Sequence, residues 1–169
     1  MRLFPCLVLM VTLALPSFGG DFDLVIKTAR ETWPERHTVV VVCSKDASSM
    51  ALMDLGSATE NVLSLLVVDM TAAKDLERVL GNVTRKPRAE IFVLLIADDP
   101  ITGEATDAGR HLVGRMTARG IPVVGTTSAS IKLGAVFAQG PGTGDKVLSN
   151  PEVAKKLGVA LPEPQVPKG

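Results

Sequence analysis

Apolar and polar positions along this chain follow two periods. Thr38–Ser44 reads TVVVVCS, a β-branched run with almost no polar break. Such runs belong to strands covered on both faces. VLSLLVVDM (Val62–Met70), EIFVLLIA (Glu90–Ala97) and IPVVGTT (Ile121–Thr127) repeat the pattern. Between them the spacing becomes helical. Asp23–Trp33 is amphipathic and stops at Pro34; Asp46–Leu55 makes a short helix rich in Met and Ala. Thr71 is placed to cap a helix whose Leu76, Val79, Leu80 and Val83 form one stripe. Glu104–Arg119 turns Ala105, Ala108, Leu112, Val113 and Met116 inward and closes at Gly120. Ser128–Lys132 adds a short turn of helix.

This rhythm predicts an α/β fold: a three-layer, mostly parallel, doubly wound sheet of about five strands, with a short C-terminal hairpin. The hairpin comes from GAVFAQ (Gly134–Gln139) and KVLS (Lys146–Ser149), joined by a glycine-rich stretch. That stretch, GPGTGDK, resembles a phosphate-binding loop. However, Asp145 separates Gly144 from Lys146, Val147 replaces the magnesium-holding hydroxyl, and KVLS is β-prone rather than helical. It reads as a hairpin turn. Asn150 then caps a compact helix with Pro151 in its first turn, and a proline-rich tail follows.

The first segment stands outside this pattern. Arg2 precedes the uncharged run LFPCLVLMVTLAL, and Ser17 and Gly19 are the small residues before a cut after Gly19. This is the layout of an export signal. A membrane span needs roughly 20 apolar residues, so no membrane insertion is expected after cleavage. The expected organisation is a signal peptide over 1–19, one α/β domain over 20–160 and a disordered proline-rich tail over 161–169, with the mature protein in the periplasm.

Removal of the signal takes Cys6 with it and leaves Cys43 alone, so no internal disulfide can form. Within VVVVCS, Cys43 reads as a buried small side chain. The formal net charge of the 169 residues is zero. RKPR at Arg85–Arg88 is too short for a nucleic-acid surface. There is no tyrosine and a single tryptophan, which argues against an aromatic cage.

Parallel sheets bind ligands at the carboxyl ends of their strands. Here those ends carry Ser44, Lys45 and Asp46; Asp69; Asp98 and Asp99; and Thr126, Thr127 and Ser128. Each short polar residue alone reads as a helix cap. Their gathering on one edge makes Ser44, Asp69, Asp98, Asp99, Thr126 and Thr127 the candidate ligand contacts. Adjacent carboxylates such as Asp98-Asp99 can hold Mg²⁺, as in phospho-acceptor receiver domains. In those domains the acidic pair follows the first strand, which here ends in Cys43-Ser44. Asp99-Pro100 also reads as turn initiation. His37 and His111 are too few and too separated for zinc, and no G-x-S-x-G elbow occurs. No cofactor and no metal is called for.

Residues Ala89–Ala138 resemble the second half of one lobe of the periplasmic substrate-binding proteins of ABC transporters. The similar group includes binders of tryptophan and other amino acids. The resemblance rests on the Asp98-Asp99-Pro100 turn, the helix to Arg119 and the entry Ile121-Pro122-Val123. It continues through the small-residue turn Thr126–Ser130 and the Lys132-Leu133-Gly134-Ala135 step. NPEVAKKLGVALPEP resembles that family's closing segment. The resemblance implies an exported, non-catalytic binding module. Full members have two lobes that close on a ligand, whereas this chain has room for one. They also carry a helix where GPGTGDK stands here, so apolar surface is expected near Val136 and Leu148, to be covered by the N-terminal helix, a second copy or a partner. The expected partners are a small polar molecule, an envelope protein or a second copy. Two other readings stay open: an interaction subunit without a small ligand, and a Mg²⁺-dependent phosphoryl enzyme built on Asp98 and Asp99.

Overall fold

The structure is a computed structural model that describes residues 21–140 and 143–163. The expected signal segment, the last residues of the tail, and Pro141 and Gly142 inside the glycine stretch lie outside the described residues. The elements in chain order are α1 (Asp21–Thr32), β1 (Thr38–Cys43), α2 (Ser49–Thr59), β2 (Ser64–Asp69), α3 (Leu76–Val83), β3 (Ile91–Leu94), α4 (Asp107–Ala118), β4 (Val123–Gly125), α5 (Ser128–Leu133), β5 (Phe137–Gly140), β6 (Gly144–Ser149) and α6 (Pro151–Leu157).

The strands form one six-stranded sheet in the order β2-β1-β3-β4-β5-β6. The first five are parallel; β6 pairs antiparallel with β5. The expected hairpin is therefore the end of the main sheet. Strand alternation explains the two-sided apolar character of β1. Val39, Val41 and Cys43 face one core cluster with Phe92 and Leu94; Val40 and Val42 face a second with Ile91 and Val93. α1, α2 and α6 supply the first layer, and α3 and α4 the second.

Helix ends follow local chemistry. Thr106 caps α4 by accepting from the Gly109 amide, and Asn150 caps α6 by accepting from the Val153 amide. α6 ends at Gly158 in the left-handed region, φ 67°. Thr71 does not cap α3. A short 3-10 turn at Ala73–Asp75 intervenes, and the helix begins at Leu76. Its stripe of Leu76, Val79, Leu80 and Val83 is buried, as the sequence predicts.

The surface expected to be bare near Val136 is closed. Val136 is fully buried, and α1 lies against β5 and β4. Trp33, just after α1, sets its ring 5.2 Å from Phe137 and 5.9 Å from Phe92. These tilted packings suit aromatic quadrupoles. The indole Nε1 donates to the Ala160 carbonyl at 3.0 Å and ties down the C-terminal segment. Arg36 caps the same corner. It is buried and donates to the carbonyls of Arg88 and Ile91, both at 2.6 Å. Leu148 is half-buried.

Trp33 thus joins α1, the sheet and the tail. Trp33→Ala is expected to lower unfolding free energy by about 3–5 kcal/mol. Urea unfolding followed by circular dichroism reads the change.

Candidate functional site

Strand order reverses between β1 and β3, since the chain moves outward to β2 in one direction and to β4 in the other. In open α/β sheets the crevice at such a switch point is the usual ligand site. Here Asp99 bridges it. One carboxylate oxygen, Oδ2, accepts from the Ser44 amide at 2.8 Å and the Ser48 hydroxyl at 2.7 Å, both beyond the end of β1. The other, Oδ1, accepts from the amides of Ile101 at 2.9 Å and Thr102 at 2.7 Å in its own loop. The Thr102 hydroxyl donates to the Val42 carbonyl at 2.6 Å and so holds the same loop to β1.

Asp99 is buried, at 2% exposure. Burial alone would push its carboxyl up. Hydrogen bonds from Ser48 and from the amides of Thr102, Ser44 and Ile101 outweigh that and hold it below the ordinary value. The loop after β3 is tight because Gly103 lies against backbone. A Cβ added there would stand 2.3 Å from the Asp99 carbonyl oxygen.

The other candidates sit around this bridge. The Asp69 carboxylate, exposed at the end of β2, accepts from the Lys45 amide at 3.0 Å. Ser44 is half-buried and Asp98 is exposed. Ser44, Asp69 and Asp99 are thus joined through hydrogen bonds across three strand ends. Asp98 and Asp99, adjacent in sequence, have opposite environments. Thr126 is 7% exposed, and Gly140 packs against it: a Cβ there would meet the Thr126 carbonyl oxygen at 2.8 Å.

Thr127 caps α5 by accepting from the Ala129 amide, while its own hydroxyl donates to Glu104. The Ser130 hydroxyl donates to the other oxygen of Glu104. The Glu104 amide in turn donates to the Ala97 carbonyl at 3.0 Å. Glu104 therefore links the β3 end to the β4 end, a role its sequence position inside an expected helix did not suggest. Gly125 makes this possible, since a Cβ there would lie 1.8 Å from the Ser130 hydroxyl. The rim is acidic: Asp46, Asp69 and Asp98 are exposed and Glu104 half-buried, against Lys45.

Cys43 is buried directly beneath the rim. Burial, then the charges of Asp99 and Asp69, push its thiol up to about 12. No group of three or more His, Cys, Asp or Glu placed to hold a metal occurs among the described residues. Nor, among those residues, is any helix long and apolar enough to cross a membrane.

This fold, a mostly parallel sheet layered by helices, is similar to that of substrate-binding protein domains. Three solved structures share it. One is the ABC domain in complex with L-Trp from Streptococcus pneumoniae, 14% identical with a TM-score of 0.65; the match covers 82% of this chain and 55% of that one. The second is a conserved domain protein from Vibrio cholerae, 15% identical, TM-score 0.66, covering 84% and 56%. The third is the ligand-free, open structure of a substrate-binding protein with adhesive properties from Clostridium difficile, 15% identical, TM-score 0.61, covering 82% and 55%. The chain spans little more than half the length of the structures it matches. No protein-family model and no curated protein matches the sequence.

Two outcomes test this geometry. Asp99→Asn is expected to cost about 2–4 kcal/mol of stability, because it turns amide hydrogens toward buried donors. The folded state holds the Asp99 carboxyl below its unfolded value. Its carboxylate therefore stabilises the fold above about pH 4, and that contribution is lost as pH falls below it. Acid unfolding curves of the variant should be correspondingly flatter. Cys43 is expected to resist iodoacetamide at mildly alkaline pH in the folded protein and to be alkylated after denaturation, as peptide mass mapping would show.

Proposed function

We propose that this protein is an exported, non-catalytic, single-lobe relative of ABC transporter substrate-binding proteins, and that it binds a small polar ligand at the carboxyl rim of its sheet. The observation that carries this reading is the set of polar groups gathered at the ends of β1, β2, β3 and β4. The likeness to substrate-binding protein domains supports it. The apolar leader run Leu3–Leu15 supports export to the periplasm.

The contacts come from Ser44, Asp69, Asp98, Thr126 and Thr127. Asp99 shapes the rim from beneath, since its oxygens already accept from four protein donors. Asp98, Asp69 and Glu104 make the rim attractive to a cationic group such as a primary amine. Hydroxyls hydrogen-bond the rest of the ligand. One lobe buries less of a ligand than a closing pair does, so the monomer binds weakly.

Titration calorimetry of the full chain against free amino acids and small amines is expected to show weak binding that requires the amine. Asp98→Asn, at an exposed position, is expected to weaken it by about tenfold. Equal binding of amine and amine-free analogues, or no effect of Asp98→Asn, would overturn the assignment.

A further inference from the structure

The short basic run Arg85–Arg88 has no part in the site described above. It lies between the end of α3 and the start of β3, at the amino ends of the strands and so at the pole opposite the acidic rim. Its backbone is wound into turns. The Arg85 amide donates to the Asn82 carbonyl at 3.3 Å, the Lys86 amide to the Val83 carbonyl at 3.1 Å, and the Glu90 amide to the Pro87 carbonyl at 3.0 Å. Arg88 donates from Nη1 to the Arg119 carbonyl at 3.1 Å, which brings Arg119, at the end of α4, to the same place. Arg85, Lys86, Arg88 and Arg119 are all exposed.

None of these four cations has a carboxylate partner among the described residues, whereas Arg78, Arg110 and Arg115 of α3 and α4 are each paired. The acids nearest to them in the loops of this pole are engaged elsewhere. Glu90 lies 3.5 Å from His37, and Glu35 lies 3.7 Å from Arg36. Arg36 adds a fifth positive charge beneath the surface. It is 7% exposed, its Nε makes no hydrogen bond, and it holds the loop by donating to the Arg88 carbonyl. The opposite pole carries the exposed Asp46, Asp69 and Asp98. Positive and negative charge thus gather at opposite poles of a chain whose formal net charge is zero.

We propose that this amino pole is a docking surface for an anionic phospholipid bilayer, on which the protein sits peripherally with its acidic rim turned away. The occupant is argued from charge complementarity, and the form of the pole narrows it to a lipid surface. A protein partner is held by apolar or aromatic anchors seated in pockets. Among the described residues, the exposed large apolar side chains are Leu24, Met50, Met53 and Val62, which belong to α1, α2 and the loop after α2. None stands among the four cations. A nucleic acid needs a longer basic track and aromatic faces for its bases. A bilayer needs only Lys and Arg side chains close to its plane, and their contributions add. It attracts the basic pole and repels the acidic one, so a molecule of zero net charge is oriented as well as bound. The pole shares no residue with the amine contacts, so each surface is tested without the other.

The leader run is itself apolar, so the test uses residues 20–169, which hold every described element. Co-sedimentation with vesicles is expected to show binding to phosphatidylcholine that contains phosphatidylglycerol and none to phosphatidylcholine alone. Added salt is expected to release the protein. Arg85→Gln and Lys86→Gln, both at exposed positions, are each expected to weaken binding about fivefold. Lys74→Gln removes the same charge just before α3, near the rim, and is expected to leave binding unchanged. Urea midpoints and amine titrations of the three variants should match those of the parent. Equal binding to both kinds of vesicle, or to neither, would overturn the proposal. So would equal losses from Lys86→Gln and Lys74→Gln, or binding to single-stranded nucleic acid without binding to anionic vesicles.

Discussion

A single buried carboxylate decides what kind of surface this sheet can present. At the point where strand order reverses, the loops after β1 and β3 leave in opposite directions and would otherwise gape. Asp99 binds donors from both loops at once, and Thr102 adds a bond to Val42. The loop carrying Asp98 is thereby held against β1, and the exposed groups above it gain fixed positions without being consumed. Charge buried in this way is tolerated because four donors replace the water it lost.

A second carboxylate, Glu104, repeats this device one strand further along. It gathers the hydroxyls of Thr127 and Ser130. With Asp69 accepting from the Lys45 amide at the β2 end, the three acids tie four strand ends into one continuous rim, from Asp69 through Lys45, Ser44 and Asp99 to Thr127. Asp99 is buried and Glu104 half-buried, so the rim grades from a sealed floor to a wetter wall. These bonds prearrange the hydroxyls and carboxylates of the rim, and under the proposed function such prearrangement lowers the ordering cost of binding.

The order of strands and helices was legible because apolar continuity is a property of short windows. Val39–Cys43 and Leu76–Val83 announce a two-sided strand and a one-sided helix without any knowledge of their neighbours. Asp99-Pro100 reads as a turn for a similar local reason, and its side chain does accept from the amides two and three residues on. What Asp99 does across the sheet was not legible, since Ser44 and Ser48 lie 55 and 51 residues away in sequence. The same holds for Glu104, whose partners depend on Gly125 letting α5 approach. α3 and α4 start later than the Thr71 cap and Glu104 suggested, because a 3-10 turn at Ala73–Asp75 precedes α3 and Thr106 caps α4. Of the three covers expected over Val136, the N-terminal helix is the one observed; the choice was not legible because α1 lies more than a hundred residues before the strand it shields.

The reversal made by β6 also decides where the two ends of the described chain emerge. β6 returns to the start of β5, where the Asn150 amide bonds the Val136 carbonyl, and Trp33 holds Ala160 beside the end of α1. The C-terminal segment therefore departs from the pole opposite the acidic rim. α1 leads into β1 from the other direction, so its first residues point toward the rim's own pole. Anchored by its tail, the molecule would hold its acidic rim out to the medium; anchored from its leading end, it would hold that rim toward the support.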